Sequence, residues 1–426
     1  MQDYKKEKLK NGVDLITVPQ KGTRAVVVLV LVKTGSKYEE REVMGISHFL
    51  EHMLFKKTEK RPSPLDIAET LDRVGGSYNA FTSEDFTGYY AKVDREKLDL
   101  ALDWVSDIYL NSLLPEEEIE KEKGVIAEEI NMRYDNPMTY TQVLWQRLLY
   151  GDQPAGWDVA GTKESVAGIS KEDLEEYMKT QYSAENTLVV LAGDIKHKEG
   201  KSKIEDYFNE INGSKPKKKT EVFESQTSPE VSLLTRDTDQ THLALGFRGF
   251  RDARPERYTQ EVIATFLGGM MSSRLFTEVR ERLGLAYYIQ AAASSNPDTG
   301  YLVSRAGLDN SNAERGIVAI LNEFSKLKKE KVSERELKKA KDYIKGKTTL
   351  KLESSDSVAF YYGRQALLER SILTPKELFK RIDAVTAEEI MEVSRDMFTI
   401  DNLNLAMIGP FENETEFREI LSQNFN

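Results

Sequence analysis

The chain has 426 residues, 39% hydrophobic and 31% charged, which describes a globular protein too long for one ordinary core. A formal net charge of −11 speaks against nucleic acid as a partner, since phosphate binding needs a basic surface. The absence of cysteine excludes disulfides and thiolate metal sites, and the longest apolar run, Ala25 to Val32, is too short to span a bilayer. No membrane association is therefore expected. The charged opening MQDYKKEKLKNG leads into no long apolar segment, so the expectation is a chain without a secretory leader, working in the cytoplasm.

In chain order, KLKNGVDLITV reads as a hairpin turning at Asn11-Gly12, followed by the β-branched strand at Ala25. A helix then carries GISHFLEHMLF, and SPLDIAETLDRVGG predicts a second helix, with Ser63 as N-cap and Gly75 or Gly76 ending it. GSYNAFTSEDFTGYYAKV predicts two strands around a turn at Ser83 to Asp85. Long helices follow through REKLDLALDWVSDIYL and PEEEIEKEKGVIAEEINMR, the latter led by Pro115.

The second half repeats the first. Lys171 to Ile195 (KEDLEEYMKTQYSAENTLVVLAGDI) resembles Ala387 to Phe411 (AEEIMEVSRDMFTIDNLNLAMIGPF): an acidic helix, an aromatic, an Asn before an apolar strand, then a Gly. The same offset of 216 residues sets the strand at Arg24 against the strand at Gln240. The expected organisation is an α+β chain of two homologous halves, each an α/β roll of one sheet with helices, produced by internal duplication. Residues 1–213 and 235–426 would be the halves, joined by a linker at 214–234 that holds the basic run KPKKK.

Two of the four histidines, His48 and His52, stand four apart on a predicted helix, so they lie on one face and can converge on one point. Zinc takes imidazole readily, and a catalytic site commonly pairs three protein ligands with one open position. Glu51, beside His52, is placed to take a proton from water there; the order H-x-x-E-H inverts the commoner zincin motif. The plain alternative is a helix that tolerates two histidines, and the metal reading needs a third ligand. In the helix after Pro115, Glu122 and Glu129 share a stripe with Ile119, Val125, Ile126 and Met132, whereas Glu128 is rotated off it. Burying a carboxylate among branched apolar residues is costly unless it is paired or bound to metal. Either Glu122 or Glu129 would then be the ligand and the other a partner to an imidazole. The alternative is a pair of peripheral glutamates bound to lysines.

HFLEHMLF followed by EKEKGVIAEE resembles the inverzincin peptidases of the pitrilysin, insulin-degrading enzyme and mitochondrial processing peptidase group, over nearly the whole chain. The resemblance implies that His48, His52 and Glu129 bind Zn2+, with Glu51 as general base and Glu122 as the helper. It also implies, from FTEVRERLGLAYYI, that Arg280 and Tyr287 donate hydrogen bonds to the scissile carbonyl. SYNAFTS resembles the family's substrate-binding edge strand, which would make Asn79, Ala80 and Phe81 backbone contacts and Phe55 a pocket wall. In the second repeat the equivalent of the histidine motif reads ATFLG, so one metal site per chain is expected.

The acidic residues with which processing peptidases hold a substrate Arg are reduced here to Asp135. With two repeats instead of four, the chain would form half of a clamshell and close it as a homodimer, each site joining one subunit's first half to the other's second. The function so implied is a zinc endopeptidase for short, unfolded or extended peptides. The alternatives are a non-catalytic assembly or peptide-holding subunit of the same fold, and, last, a zinc hydrolase of small amides.

Overall fold

The computed structural model describes residues 4–369 and 371–425, and it is α+β. Its eleven strands are β1 (Lys5–Lys8), β2 (Asp14–Pro19), β3 (Ala25–Val32), β4 (Ser77–Thr82), β5 (Thr87–Asp94), β6 (Thr187–Gly193), β7 (Glu230–Thr235), β8 (Gln240–Arg248), β9 (Ala286–Ser295), β10 (Gly300–Asp309) and β11 (Leu403–Gly409). They make a six-stranded sheet, β1-β2-β6-β3-β5-β4, and a five-stranded sheet, β7-β11-β8-β10-β9. The 216-residue offset carries β2 onto β7 and β6 onto β11 residue for residue. In both sheets this pair is parallel and its neighbours are antiparallel, so the duplication is preserved in topology.

The first compact unit comprises the stretch ending at Asn131, then Trp157–Thr220 and Leu350–Thr374. Its central strand β3 explains an apolar run that does not alternate. Val26, Val28, Val30 and Val32 enter a core with Phe49, Leu50 and Trp104, while Val27, Leu29 and Leu31 face Val358, Ala359 and Tyr362 of the helix Ser355–Leu368. A strand covered on both faces needs apolar residues at every position. The covering helix approaches closely at Gly363, where a Cβ would lie 2.8 Å from Leu31 Cδ1.

The second unit comprises Met132–Gly156, Glu221–Thr349 and the chain from Pro375 on. One face of its sheet packs Leu243, Leu245 and Phe247 against Phe324 and Phe398. The other face packs Ala244, Val303 and Ala406 against Leu144 and Trp145 of the helix Pro137–Tyr150. Each sheet thus has a helix on its second face that comes from the sequence of the other repeat.

The local signals behave as their chemistry dictates. Gly12 turns the first hairpin at φ +98°, Ser63 caps the helix Pro64–Asp72 by accepting from the Asp66 N–H, and Pro115 precedes the helix Glu116–Asp135. Residues 212–228, including the basic run, have no regular secondary structure. Lys217 there pairs with Glu40 at 3.1 Å and Lys219 with Asp85 at 2.7 Å. Among the described residues no helix is long and apolar enough to cross a membrane.

Candidate metal centre

The histidine helix, Ile46–Met53, begins at Gly45, whose φ of +91° is the left-handed conformation that favours glycine. Ile46, Phe49, Leu50 and Met53 recur at helical spacing and are buried in the first core, which leaves His48, Glu51 and His52 on the other side. The first turn is held by a buried acid. Glu39 accepts hydrogen bonds from the N–H groups of Gly45 (2.7 Å) and Ser47 (2.9 Å), donors that a helix start otherwise leaves unpaired. Burial pushes the Glu39 carboxyl up to about 7, against these bonds.

His48 and His52 meet edge to face, with ring centroids 4.5 Å apart, planes at 64° and Nε2 atoms 3.2 Å apart. Glu129, on the helix Glu116–Asp135, brings its Oε2 to 3.6 Å from each of those nitrogens. One donor atom from each of the three residues lies within 4.8 Å of the others, and among the described residues this is the one such cluster of three. Bonds of about 2.0–2.2 Å at tetrahedral angles set donors about 3.3–3.6 Å apart, so the spacing suits an ion of zinc's size. Two nitrogens and one carboxylate oxygen are also a donor set that zinc accepts.

Glu122, two turns before Glu129, is only 4% exposed. Its Oε1 lies 2.8 Å from His52 Nδ1 and its Oε2 lies 2.5 Å from Lys56 Nζ. A carboxylate can only accept, so His52 carries its proton on Nδ1 and offers the Nε2 lone pair to the cluster. Burial disfavours the Glu122 charge, but the bonds from His52 and Lys56 outweigh it and hold the carboxyl below its ordinary range. Burial likewise opposes a charged His52 ring, yet Glu122, Glu129 and Glu51 together hold its pKa above the usual histidine value. For Glu51, burial dominates and raises the carboxyl, while a 2.5 Å hydrogen bond from Thr82 Oγ1 draws it partly back.

The stripe on the glutamate helix is less buried than its sequence suggests. Ile119, Glu122 and Ile126 are covered, but Val125 is 45% and Met132 71% exposed. Glu128 points to solvent, as expected. The asymmetry separates the two glutamates: Glu122 lies under the histidine helix with a lysine, and Glu129 lies at the rim.

β4 is the terminal strand of its sheet, pairing only with β5 through Asn79↔Tyr90, Ala80↔Tyr89 and Phe81↔Gly88. Asn79 is exposed and Ala80 turns toward the core, while Phe81 packs on Phe86 and Phe360. Phe55 leans on Tyr89 and Trp104, with centroids at 6.4 and 5.9 Å, and is a partly buried member of the core edge. In the second unit, Arg280 lies on a wide π-helical segment, Phe276–Arg282, closed by Leu283 N–H to Glu278 O at 3.0 Å. Its guanidinium sits 4.7 Å over the Phe276 ring and 3.9 Å from Glu281. Tyr287 is the second residue of the terminal strand β9 and is 77% exposed. The helix holding ATFLG, Arg257–Gly268, is packed in its own core.

Three participants carried no sequence signal. Thr82, Lys56 and Glu39 reach the centre through contacts 31, 66 and 6 to 8 residues apart in sequence, and no residue pattern marks such partners.

Known proteins resemble this chain over nearly its whole length. Residues 15–163 match the family described as Insulinase (Peptidase family M16), and residues 168–344 match the Peptidase M16 inactive domain. The chain is 35% identical to the uncharacterized zinc protease YmxG of Bacillus subtilis, over 95% of this chain and 98% of that one. It is 34% identical to the uncharacterized zinc protease ML0855 of Mycobacterium leprae, over 95% and 91%. Among solved structures, a protease from Helicobacter pylori superposes with a TM-score of 0.89 at 23% identity, covering 96% of this chain and all of that one. A chain of complex III2 from Candida albicans superposes at 0.83 with 18% identity, covering 98% and 99%. The chain is a member of the M16 peptidase family, of the short two-domain type.

Proposed function

We propose that the protein is a zinc-dependent endopeptidase acting on short, unfolded or extended peptides. The observation that carries this reading is the convergence of His48, His52 and Glu129 at ligand spacing, with Glu51 on the same helix as the two histidines. His48 Nε2, His52 Nε2 and the Glu129 carboxylate would hold the ion. When bound, zinc supplies acidification of a water molecule and polarisation of a carbonyl.

The chain's own groups do the rest. Glu51, whose carboxyl burial raises toward the range useful to a general base, takes a proton from the attacking water and returns it to the leaving amine. Glu122 keeps the His52 proton on Nδ1 and the ring in place. The free edge of β4 adds an extended peptide by main-chain hydrogen bonds at Asn79, Ala80 and Phe81, with little demand on side chains. Phe55 borders the scissile bond. Arg280 and Tyr287 donate to the carbonyl oxygen as it gains charge, delivered from the second half of a partner copy in a closed homodimer.

The likeness to a complex III chain supports a second reading, an assembly subunit of the same fold. The complete set of ligands and base argues for the peptidase. The test is purified protein on an unstructured quenched peptide: about one zinc per chain, cleavage abolished by a chelator and restored by zinc. A zinc-loaded protein that cuts no member of a varied peptide panel would favour the assembly subunit.

A further inference from the structure

We propose that Thr82 is a positioning residue for Glu51, fixing the base relative to the strand on which a peptide would lie. The inference rests on the reading of Glu51 as general base and adds to it how that carboxylate is aimed.

Glu51 projects from the half-buried side of a short helix, away from its core-facing residues, and a glutamate there has three rotatable side-chain bonds. Among the described residues its one side-chain hydrogen bond is from Thr82, whose Oγ1 donates to Oε2 at 2.5 Å. Hydrogen bonds to ionised groups are short and about twice as strong as neutral ones, so this hydroxyl selects one orientation of the carboxylate. The bond occupies one oxygen and leaves Oε1 to exchange a proton.

Thr82 is itself well held. It is the last residue of β4, paired with Thr87 across the hairpin, and alternation puts it on the face shared by Ala80 and Tyr78, toward the core. The following turn is bound from within, with the Ser83 N–H donating to Phe86 O at 2.9 Å and Ser83 Oγ donating to the same oxygen at 2.7 Å. The turn is also strapped from outside. Ser36 and Lys37 donate their N–H groups to Ser83 O and Glu84 O, and the buried Asp85 carboxylate accepts Lys37 at 3.0 Å and Lys219 at 2.7 Å. The basic run between the repeats thus supplies one of the lysines that fix the turn.

A rigid hydroxyl on the edge strand gives base and substrate a common reference. A peptide added to β4 takes its register from the same backbone that carries Thr82. The angle between carboxylate and scissile bond is then set by one strand and does not depend on two elements moving independently.

The experiment compares wild type with Thr82→Val and Thr82→Ser on an unstructured quenched peptide, with zinc content and melting temperature measured for each. Val keeps the shape and loses the hydroxyl; Ser keeps the hydroxyl. The expected result is a fall in kcat of about tenfold to a hundredfold for Thr82→Val, with KM and zinc content unchanged and most of kcat restored in Thr82→Ser. Should Thr82→Val not fold, Thr82→Ala replaces it with the same expectation. Unchanged kcat in the hydroxyl-free variant, or a Ser variant no better than it, would overturn the inference while leaving the peptidase reading intact. A zinc-loaded wild type that cuts nothing would overturn both.

Discussion

Glu122 joins His52 to Lys56: one carboxylate oxygen lies 2.8 Å from the imidazole Nδ1 and the other 2.5 Å from the lysine ammonium. A ligating imidazole must stay neutral and present Nε2, so the Nδ1 partner has to accept a hydrogen bond without giving up a proton of its own. A buried carboxylate does this well, provided a second cation offsets its charge. Lys56 supplies that cation.

Glu122→Gln is therefore expected to weaken zinc binding about 10- to 100-fold, measured by competition with a chromogenic chelator. Lys56→Met should weaken it in the same direction but less. Unchanged affinity in Glu122→Gln would mean that the ring needs no such partner.

Arg280→Ala should cost about 10²- to 10³-fold in kcat with zinc content unchanged, as loss of a donor to a developing oxyanion does. If sites form across a homodimer, mixing Arg280→Ala with Glu51→Gln under subunit exchange regenerates one intact site in each mixed dimer. Recovery to about a quarter of wild-type activity is expected from random pairing. Two inactive variants that stay inactive after demonstrated exchange would place all the groups of a site in one chain.

The buried cap at Glu39 gives a pH dependence whose sign is fixed. Its folded-state carboxyl is raised from 4.5 to about 7 by burial, which outweighs the bonds from Ser47 and Gly45. The fold thus favours the neutral acid. That contribution is complete below about pH 4.5 and is lost as pH rises through about 7. Relative to Glu39→Gln, which does not titrate, metal-free wild type should lose up to about 3 kcal/mol between pH 5 and pH 8 in urea unfolding. A difference that is flat across this range would mean the carboxyl titrates normally.

The helix Ser355–Leu368 should matter to the stability of the first unit although it follows most of the second in sequence. Tyr362 is fully buried against β3 and β6, with its ring 5.0 Å from that of Tyr4. Tyr362→Ala is expected to cost about 3–5 kcal/mol, the usual range for emptying a large aromatic site. A loss under about 1 kcal/mol would show that the helix adds little to that face.

How much of this was legible in the sequence depended on the range of each interaction. His48 and His52 could be paired because helical spacing is local, and the buried positions 46, 49, 50 and 53 fix which face they occupy. The duplication was legible because equal spacing implies equal topology, and β2 and β6 map onto β7 and β11 without a shift. Glu122 and Glu129 share one stripe, and periodicity does not distinguish them; the partners that do, Lys56 and the two histidines, lie some seventy residues earlier in sequence. The β-branched run at Ala25 read as a strand, but only the fold shows that both its faces are covered and that the helix Ser355–Leu368 covers one of them. Thr82 looked like any strand threonine, since only the folded hairpin brings its hydroxyl to Glu51.

The central claim is that Glu51 moves the proton while His48, His52 and Glu129 hold the ion. The most direct measurement compares wild type with Glu51→Gln for bound zinc and for cleavage of an unstructured quenched peptide. The account requires about one zinc per chain in both proteins and cleavage by the wild type alone, the variant being slower by at least about 10²-fold. A Glu51→Gln protein that retains zinc and cuts at the wild-type rate would contradict it.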